Sequence, residues 1–290
     1  MREYIIMTDS SCDLPLEIVN DLEISVLPLS LVIDDKKYYN YLDERDITFS
    51  EFYKLMRNKK TSKTSAVNPS DFVNEMEKFL KQGKDILYLG FSSGLSCTYN
   101  NANTAADQLL KIYPDRKIYT VDTLCASLGQ GLLVYLTAME KQKGKSIEEL
   151  RDFAENIKLK VCHWFTVEDL YHLKRGGRIS SSTAVIGSML GIKPILHVDD
   201  MGKLINVSKV RGRKASINEL FNKVKENAII PSQQTVFISH GDCLDDANYL
   251  ADLLKKELNV KEVIINYVGP VIGTHSGPGT MAIFFLGNKR

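Results

Sequence analysis

The sequence has no paired cysteines, no excess of either charge and no long apolar run. Its five cysteines are scattered without a Cys-x-x-Cys pair, which excludes a zinc ribbon or a disulfide framework and is typical of a reducing compartment. With 37 Lys and Arg against 36 Asp and Glu, the formal net charge is +1, so the basic excess of a nucleic-acid-binding protein is missing. We therefore expect a cytoplasmic protein with no nucleic-acid partner.

No window of membrane-spanning length is free of polar residues. The nearest, residues 121–139, contains Asp122, Ser127 and Gln130 and predicts a buried helix of a globular fold. The apolar run near the N-terminus is short and is interrupted by Asp9, which argues against a secretory signal. We expect a protein that is not membrane-integral.

The length and pattern of the chain predict an α/β protein with two α/β domains. A chain of 290 residues corresponds to about two domains. Over residues 1–158, short β-rich runs, including 26–33, alternate with helical stretches, which predicts a mainly parallel, Rossmann-like sheet. Residues 159–290 have a different pattern, with a hairpin at 194–210 and a small-residue helix at 183–190, and they predict a mixed sheet with helices.

Polar turns follow three of the predicted strands, at 8–11, 92–96 and 122–123, and a Thr/Ser cluster covers 61–65. Ligands of open α/β sheets lie at the carboxyl ends of the strands. Hydroxyl groups beside a helix N-terminus suit a carboxylate or phosphate oxygen, but Ser and Thr are also the ordinary capping residues. The residues alone leave anion binding and simple capping both open.

One motif favours a serine hydrolase. Gly90-Phe91-Ser92-Ser93-Gly94 matches the G-x-S-x-G nucleophile elbow between a strand and a helix. Asp122 and then His240 or His275 follow in the chain order of an α/β-hydrolase. No HGG-type oxyanion segment precedes them, so an esterase that uses Ser92 stands as the alternative function.

Two further segments are candidates for anion binding. Lys174-Arg175-Gly176-Gly177-Arg178 could hold a phosphate, but three charges around a glycine pair more often form a solvated turn. The glycine-dense segment around His275 requires tight turns, which would hold the imidazole in a fixed place. The other histidines share no metal-ligand spacing, and we expect no metal site.

Several segments, taken in order, resemble the DegV family of bacterial proteins. They span residues 5 to about 285 and are Thr8–Pro15, Thr64-Ser65, Ser92–Ser96, Val121-Asp122, Ala126–Gly131, Leu173–Ile179, Ile192–Leu196 and His275–Gly279. Two positions depart from the family pattern: Cys97 replaces a usual glycine, and Ala66-Val67-Asn68 replaces a usual Gln-Pro-Ser.

The resemblance implies a lipid-binding protein rather than an enzyme. It implies that a long-chain fatty acid such as palmitate, stearate or oleate lies buried between the two domains, without any other cofactor. The carboxylate ligands would be Thr64 and Ser96, with Ser93 and His275 close by. The protein would present this carboxylate to a separate fatty-acid kinase catalytic subunit, which forms an acyl phosphate for lipid synthesis, and Arg211 would help to dock that subunit.

Overall fold

A computed structural model describes residues 2–179 and 191–290. The predicted helix at 183–190 lies outside the described residues. The strands are β1 (Tyr4–Asp9), β2 (Ile24–Leu27), β3 (Ser30–Ile33), β4 (Lys36–Tyr39), β5 (Ser62–Ser65), β6 (Asp85–Gly90), β7 (Ile118–Asp122), β8 (Val161–Thr166), β9 (Ile192–Val198), β10 (Leu204–Arg211), β11 (Thr235–His240), β12 (Glu262–Tyr267) and β13 (Met281–Leu286). The helices are α1 (Leu16–Asp21), α2 (Phe49–Arg57), α3 (Pro69–Lys81), α4 (Thr98–Ile112), α5 (Leu128–Gln142), α6 (Ile147–Ile157), α7 (Tyr171–Arg175), α8 (Arg213–Asn227), α9 (Leu244–Leu258) and α10 (Pro270–Ser276).

The N-terminal part contains a parallel sheet with the strand order β2-β1-β6-β7. Because the strands are parallel, the carboxyl ends of β1, β6 and β7 meet at one edge, and Gly90 pairs with Asp122 there. The prediction of a mainly parallel sheet in this part of the chain is confirmed.

The C-terminal part contains a six-stranded sheet with the order β10-β9-β8-β13-β11-β12. Only β11 and β12 pair in parallel, and the other neighbours are antiparallel. The predicted hairpin is formed by β9 and β10, where Val198 pairs with Leu204. The prediction of a mixed sheet with helices is also confirmed.

A small antiparallel sheet, β4-β3-β5, was not predicted. The apolar run at 26–33 predicted one strand, but the structure divides it into β2 and β3 at Pro28, which has no backbone N–H to donate to a ladder. The Ser/Thr cluster forms β5 instead of a helix cap, because its backbone pairs with β3 from Ser62 to Ser65. This pairing places Thr64 beside α10.

Helix α5 packs between the two large sheets. Leu128, Leu132 and Leu133 on this helix are buried in one cluster with Leu89 of the parallel sheet and Phe284 of the mixed sheet. A helix that is apolar on several faces suits this position, because it has to bury surface on both sides. The structure confirms the prediction that this segment is a buried helix, and Ala126 and Ser127, just before α5, line a cavity between the sheets.

Candidate ligand-binding site between the two sheets

A cavity of about 240 Å³ is lined by side chains from both parts of the chain. Most of its wall is apolar, and hydroxyl, imidazole and guanidinium groups interrupt it in a few places. The apolar wall includes Leu29, Phe91, Leu95, Phe165, Val271 and Phe284. An apolar wall with a few polar groups is the usual design of a small-molecule site, in which the polar groups fix orientation.

Thr64 and His275 form one polar corner of this cavity. The Thr64 Oγ1 and His275 Nε2 atoms are 2.8 Å apart, which joins β5 to α10. A second bond between the same elements joins the hydroxyls of Ser62 and Thr274. The corner is therefore built on two fixed elements, and the structure brings together two of the residues predicted from the sequence.

Ser96 contributes a third hydroxyl to the cavity wall. It lies just before α4, and its Oγ accepts a hydrogen bond from the Thr98 backbone N–H at 3.2 Å and lies 2.8 Å from Thr98 Oγ1. When the Thr98 hydroxyl donates to Ser96, the Ser96 proton is free to point into the cavity. The helix start thus orients this hydroxyl while leaving it a donor.

The imidazole of His275 is neutral at physiological pH. Burial lowers the pKa of His275 to about 4, and the positive charges of Arg178 and Arg175 lower it further in the same direction. Its Nδ1 atom is buried without a hydrogen-bond partner among the described residues and packs against Gly176. A Cβ atom at position 176 would lie 2.1 Å from Nδ1, so only glycine leaves room for the ring. An anion beside this ring would favour its protonated form.

Arg178 supplies a cation that sequence reasoning missed as part of this corner. It lines the cavity, and its Nε and Nη1 atoms donate to the carbonyl oxygens of Leu95 at 3.1 Å and Gly176 at 2.5 Å. The other two charges of the segment 174–178, on Lys174 and Arg175, are exposed, as in the solvated turn that the sequence favours. The segment therefore does not converge on one ligand; it turns a single guanidinium toward the cavity. We refer to Thr64, Ser96, Arg178 and His275 as the polar cluster.

Ser93, predicted to assist the carboxylate ligands, does not line the cavity. Its side chain is exposed, and its backbone N–H donates to Asp122 Oδ1 at 3.2 Å. The reason is a tight turn in which the N–H groups of Leu95 and Ser96 both donate to the carbonyl of Ser92. That turn directs position 96 inward and position 93 outward.

The residues of the hydrolase alternative are not brought together. Ser92 Oγ donates to the carbonyl of Gly202 at 2.8 Å, and Asp122 accepts from backbone N–H groups. His240 accepts from the Cys243 N–H through Nδ1, while His275 pairs with Thr64. No hydrogen bond within residues 2–179 and 191–290 joins the hydroxyl of Ser92 to either imidazole, so a catalytic triad is not assembled.

Three further expectations concern the docking residue Arg211, metal sites and membrane-spanning helices. Arg211, predicted to dock a partner, is exposed at the end of the edge strand β10. In the part of the chain that the structure describes, no group of three or more His, Cys, Asp or Glu is placed to hold a metal ion. No described helix combines the length and the apolar composition needed to cross a membrane.

Comparisons with known proteins agree on one family. A sequence model of the DegV family, described as uncharacterised proteins, matches residues 4–288. A DegV domain-containing protein of Clostridium perfringens is 48% identical over 290 residues, which is 100% of this chain and 99% of that protein. The solved structure of a fatty-acid-binding DegV family protein from Thermus thermophilus has a TM-score of 0.89 at 28% identity and covers 99% of this chain and 100% of its own. A stearic-acid-binding protein from Eubacterium ventriosum has a TM-score of 0.88 at 25% identity, with 98% of each chain covered.

Proposed function

The chain belongs to the DegV family, and on that premise we propose that it is a cytoplasmic fatty-acid carrier. The cavity would hold the acyl chain of a long-chain fatty acid such as palmitate, stearate or oleate between two domains, residues 1–158 and 159–290. The polar cluster would hold its carboxylate. The observation that carries the proposal is a mainly apolar cavity whose polar corner offers hydroxyls, an imidazole and a guanidinium. Solved relatives whose names describe fatty-acid or stearic-acid binding share this fold.

The cavity wall suits both parts of a fatty acid, the apolar acyl chain and the charged carboxylate. Burying the chain of a 16-carbon acid at about 0.8 kcal/mol per methylene contributes roughly 12 kcal/mol before ordering costs. The tail therefore supplies most of the affinity. Thr64 and Ser96 donate to the carboxylate, and Arg178 offsets its charge, so the head group mainly sets orientation.

The protein itself would carry no catalytic step. We propose that it presents the carboxylate to a separate fatty-acid kinase catalytic subunit, which forms the acyl phosphate used in lipid synthesis. Arg211 on the exposed end of β10 would contact that subunit. Ser92 would serve the structure, because its hydroxyl holds the β9–β10 turn through Gly202.

Removing the two hydroxyls of the polar cluster tests this assignment. In Thr64→Val with Ser96→Ala, we expect palmitate affinity to fall about tenfold to a hundredfold, since each hydrogen bond to a charged group contributes about 1.5–3 kcal/mol and the two are not additive. Affinity for methyl palmitate, which has no charge, should change little. Acyl-phosphate formation with the kinase subunit of the same organism should fall further than palmitate affinity does, because the carboxylate loses its fixed orientation. Both affinities are measured by titration calorimetry.

The matched control is Thr104→Val, which removes an exposed threonine hydroxyl of α4 that does not line the cavity. It should bind and present palmitate like the wild type. If the double variant supports acyl-phosphate formation at the wild-type rate, Thr64 and Ser96 are not the carboxylate ligands.

A further inference from the structure

Two serine hydroxyls, Ser127 and Ser239, line the cavity on other elements than those carrying the polar cluster. Ser127 lies immediately before α5, and Ser239 lies in β11. Their Oγ atoms are 3.0 Å apart, and both residues are buried, with exposed fractions of 6% and 0%. We call these two residues the serine pair.

Ser239 ends an apolar row of the mixed sheet, and its neighbour on the other side is Asn266. Across neighbouring strands the register places Leu196, Phe165, Ala282 and Ser239 side by side. Phe165 and Ala282 line the cavity, and so does Ser239. A hydroxyl in this position has to be hydrogen-bonded, because an unpaired one facing methylene groups is unfavourable.

The hydrogen bonds of the serine pair leave part of the hydrogen-bonding capacity of Ser239 unused. Ser127 Oγ contacts Asp13 Oδ2 at 2.5 Å and Ser239 Oγ at 3.0 Å, so its single proton is donated to one of them and it accepts from the other. Ser239 Oγ has Ser127 as its one hydrogen-bond partner among the described residues. The rest of its hydrogen-bonding capacity has no partner there, and Ser239 is one of the residues that line the cavity.

The backbone of Ser127 has an unfavourable conformation, so other contacts have to keep this residue in place. Its φ of 52° and ψ of −146° lie in a region that side-chain-bearing residues rarely adopt. Such a conformation persists where surrounding contacts fix it, and here Asp13 and Ser239 are those contacts. The pair is a rigid part of the wall.

On the basis of the proposed function, we infer that the preferred ligand is a long-chain fatty acid with a hydroxyl group on its chain, bound by Ser239. A plain methylene chain gives Ser239 no partner. A chain hydroxyl both donates and accepts, so it fits Ser239 whichever way the protons run along Asp13, Ser127 and Ser239. The polar cluster binds the carboxylate, and the serine pair binds the hydroxyl group on the acyl chain.

The test compares stearate with hydroxystearates whose hydroxyl lies near the carboxylate, at mid-chain or near the terminal methyl. Dissociation constants are measured for the wild type, Ser239→Ala and Ser65→Ala; Ser65 also lines the cavity but is exposed. We expect one hydroxystearate with the hydroxyl away from the carboxylate to bind the wild type about threefold to tenfold more tightly than stearate. Ser239→Ala should abolish or reverse that preference, and Ser65→Ala should keep it.

The outcomes separate this inference from the proposed function. If stearate binds but no isomer binds more tightly, or if the preference survives in Ser239→Ala, the inference is wrong and the fatty-acid carrier stands. If neither stearate nor any isomer binds the wild type, the proposed function fails and this inference fails with it.

Discussion

Replacing Ala282 with phenylalanine is expected to abolish palmitate binding and leave the protein folded. Ala282 lies in β13 between Phe165 and Ser239, is 5% exposed and lines the cavity. A phenyl ring there would occupy the space of the acyl chain. Displacing about four to six methylenes at about 0.8 kcal/mol each costs roughly 3–5 kcal/mol, about a hundredfold or more in affinity. Titration calorimetry with palmitate measures the loss.

Two controls make this result specific. Because the ring fills existing space, the melting temperature of ligand-free Ala282→Phe should equal or exceed that of the ligand-free wild type. Ala282→Ser, which adds a single oxygen atom at the same position, should keep binding within about tenfold, the scale of one neutral hydrogen-bonding group. Palmitate that binds Ala282→Phe as tightly as the wild type would show that the acyl chain lies elsewhere.

Asp13→Asn is expected to stabilise the protein at neutral and alkaline pH. Burial raises the pKa of Asp13 to about 8, against the lowering effect of the Ser127 hydrogen bond. Among the described residues, the Asp13 Oδ1 and Asn40 Oδ1 atoms are buried without a hydrogen-bond partner. Both lie beside Gly269, at 2.6 and 3.1 Å from the point that a Cβ there would occupy. A protonated carboxyl and an asparagine amide are both uncharged, so neither carries the cost of a buried carboxylate. The φ of Asp13 is 53°, a left-handed conformation that asparagine tolerates.

The pH dependence follows from the direction of that shift. The folded protein keeps the Asp13 proton above pH 3.8, the usual pKa, where the unfolded chain releases it. Its stabilising contribution is complete below that pH and is lost as the pH rises toward about 8. Asparagine does not titrate. The free energy of unfolding of Asp13→Asn, minus that of the wild type, should therefore increase by about 5 kcal/mol between pH 4 and pH 8.

Urea unfolding at pH 4, 6 and 8 measures this difference. The control is Asp107→Asn, at an exposed position of α4, which should not change the slope of stability between pH 6 and 8. A difference between Asp13→Asn and the wild type that stays constant over the whole range would show that Asp13 is ionised in the folded protein.

Most of the fold is readable from the sequence because hydrophobic periodicity and caps act locally. Ser146 and Glu149 have the sequence spacing of a capping box, and the structure contains that box in full at the start of α6. The small sheet escaped prediction because β5 is a run of polar residues whose strand conformation comes from pairing with β3. The residues of one segment do not show that it pairs with a segment distant in the sequence.

The site is only partly readable from the sequence. Thr64, Ser96 and His275 line one cavity as expected, but which hydroxyl of 92–96 faces inward depends on a turn that directs Ser93 to solvent. Arg178 looked like part of a solvated turn, and only the carbonyls of Leu95 and Gly176 fix it in the cavity wall. The order Ser, Asp, His along the chain suggested a triad, yet order does not set distance, and these side chains bind other partners.

Native mass spectrometry of the purified protein, followed by denaturation and lipid analysis, tests the central claim most directly. The claim is that the cavity beneath the polar cluster holds a fatty acid. We expect a ligand of fatty-acid mass at close to one per chain in the wild type and none in Ala282→Phe. A wild-type protein that carries no lipid and takes up neither palmitate nor oleate would contradict the account.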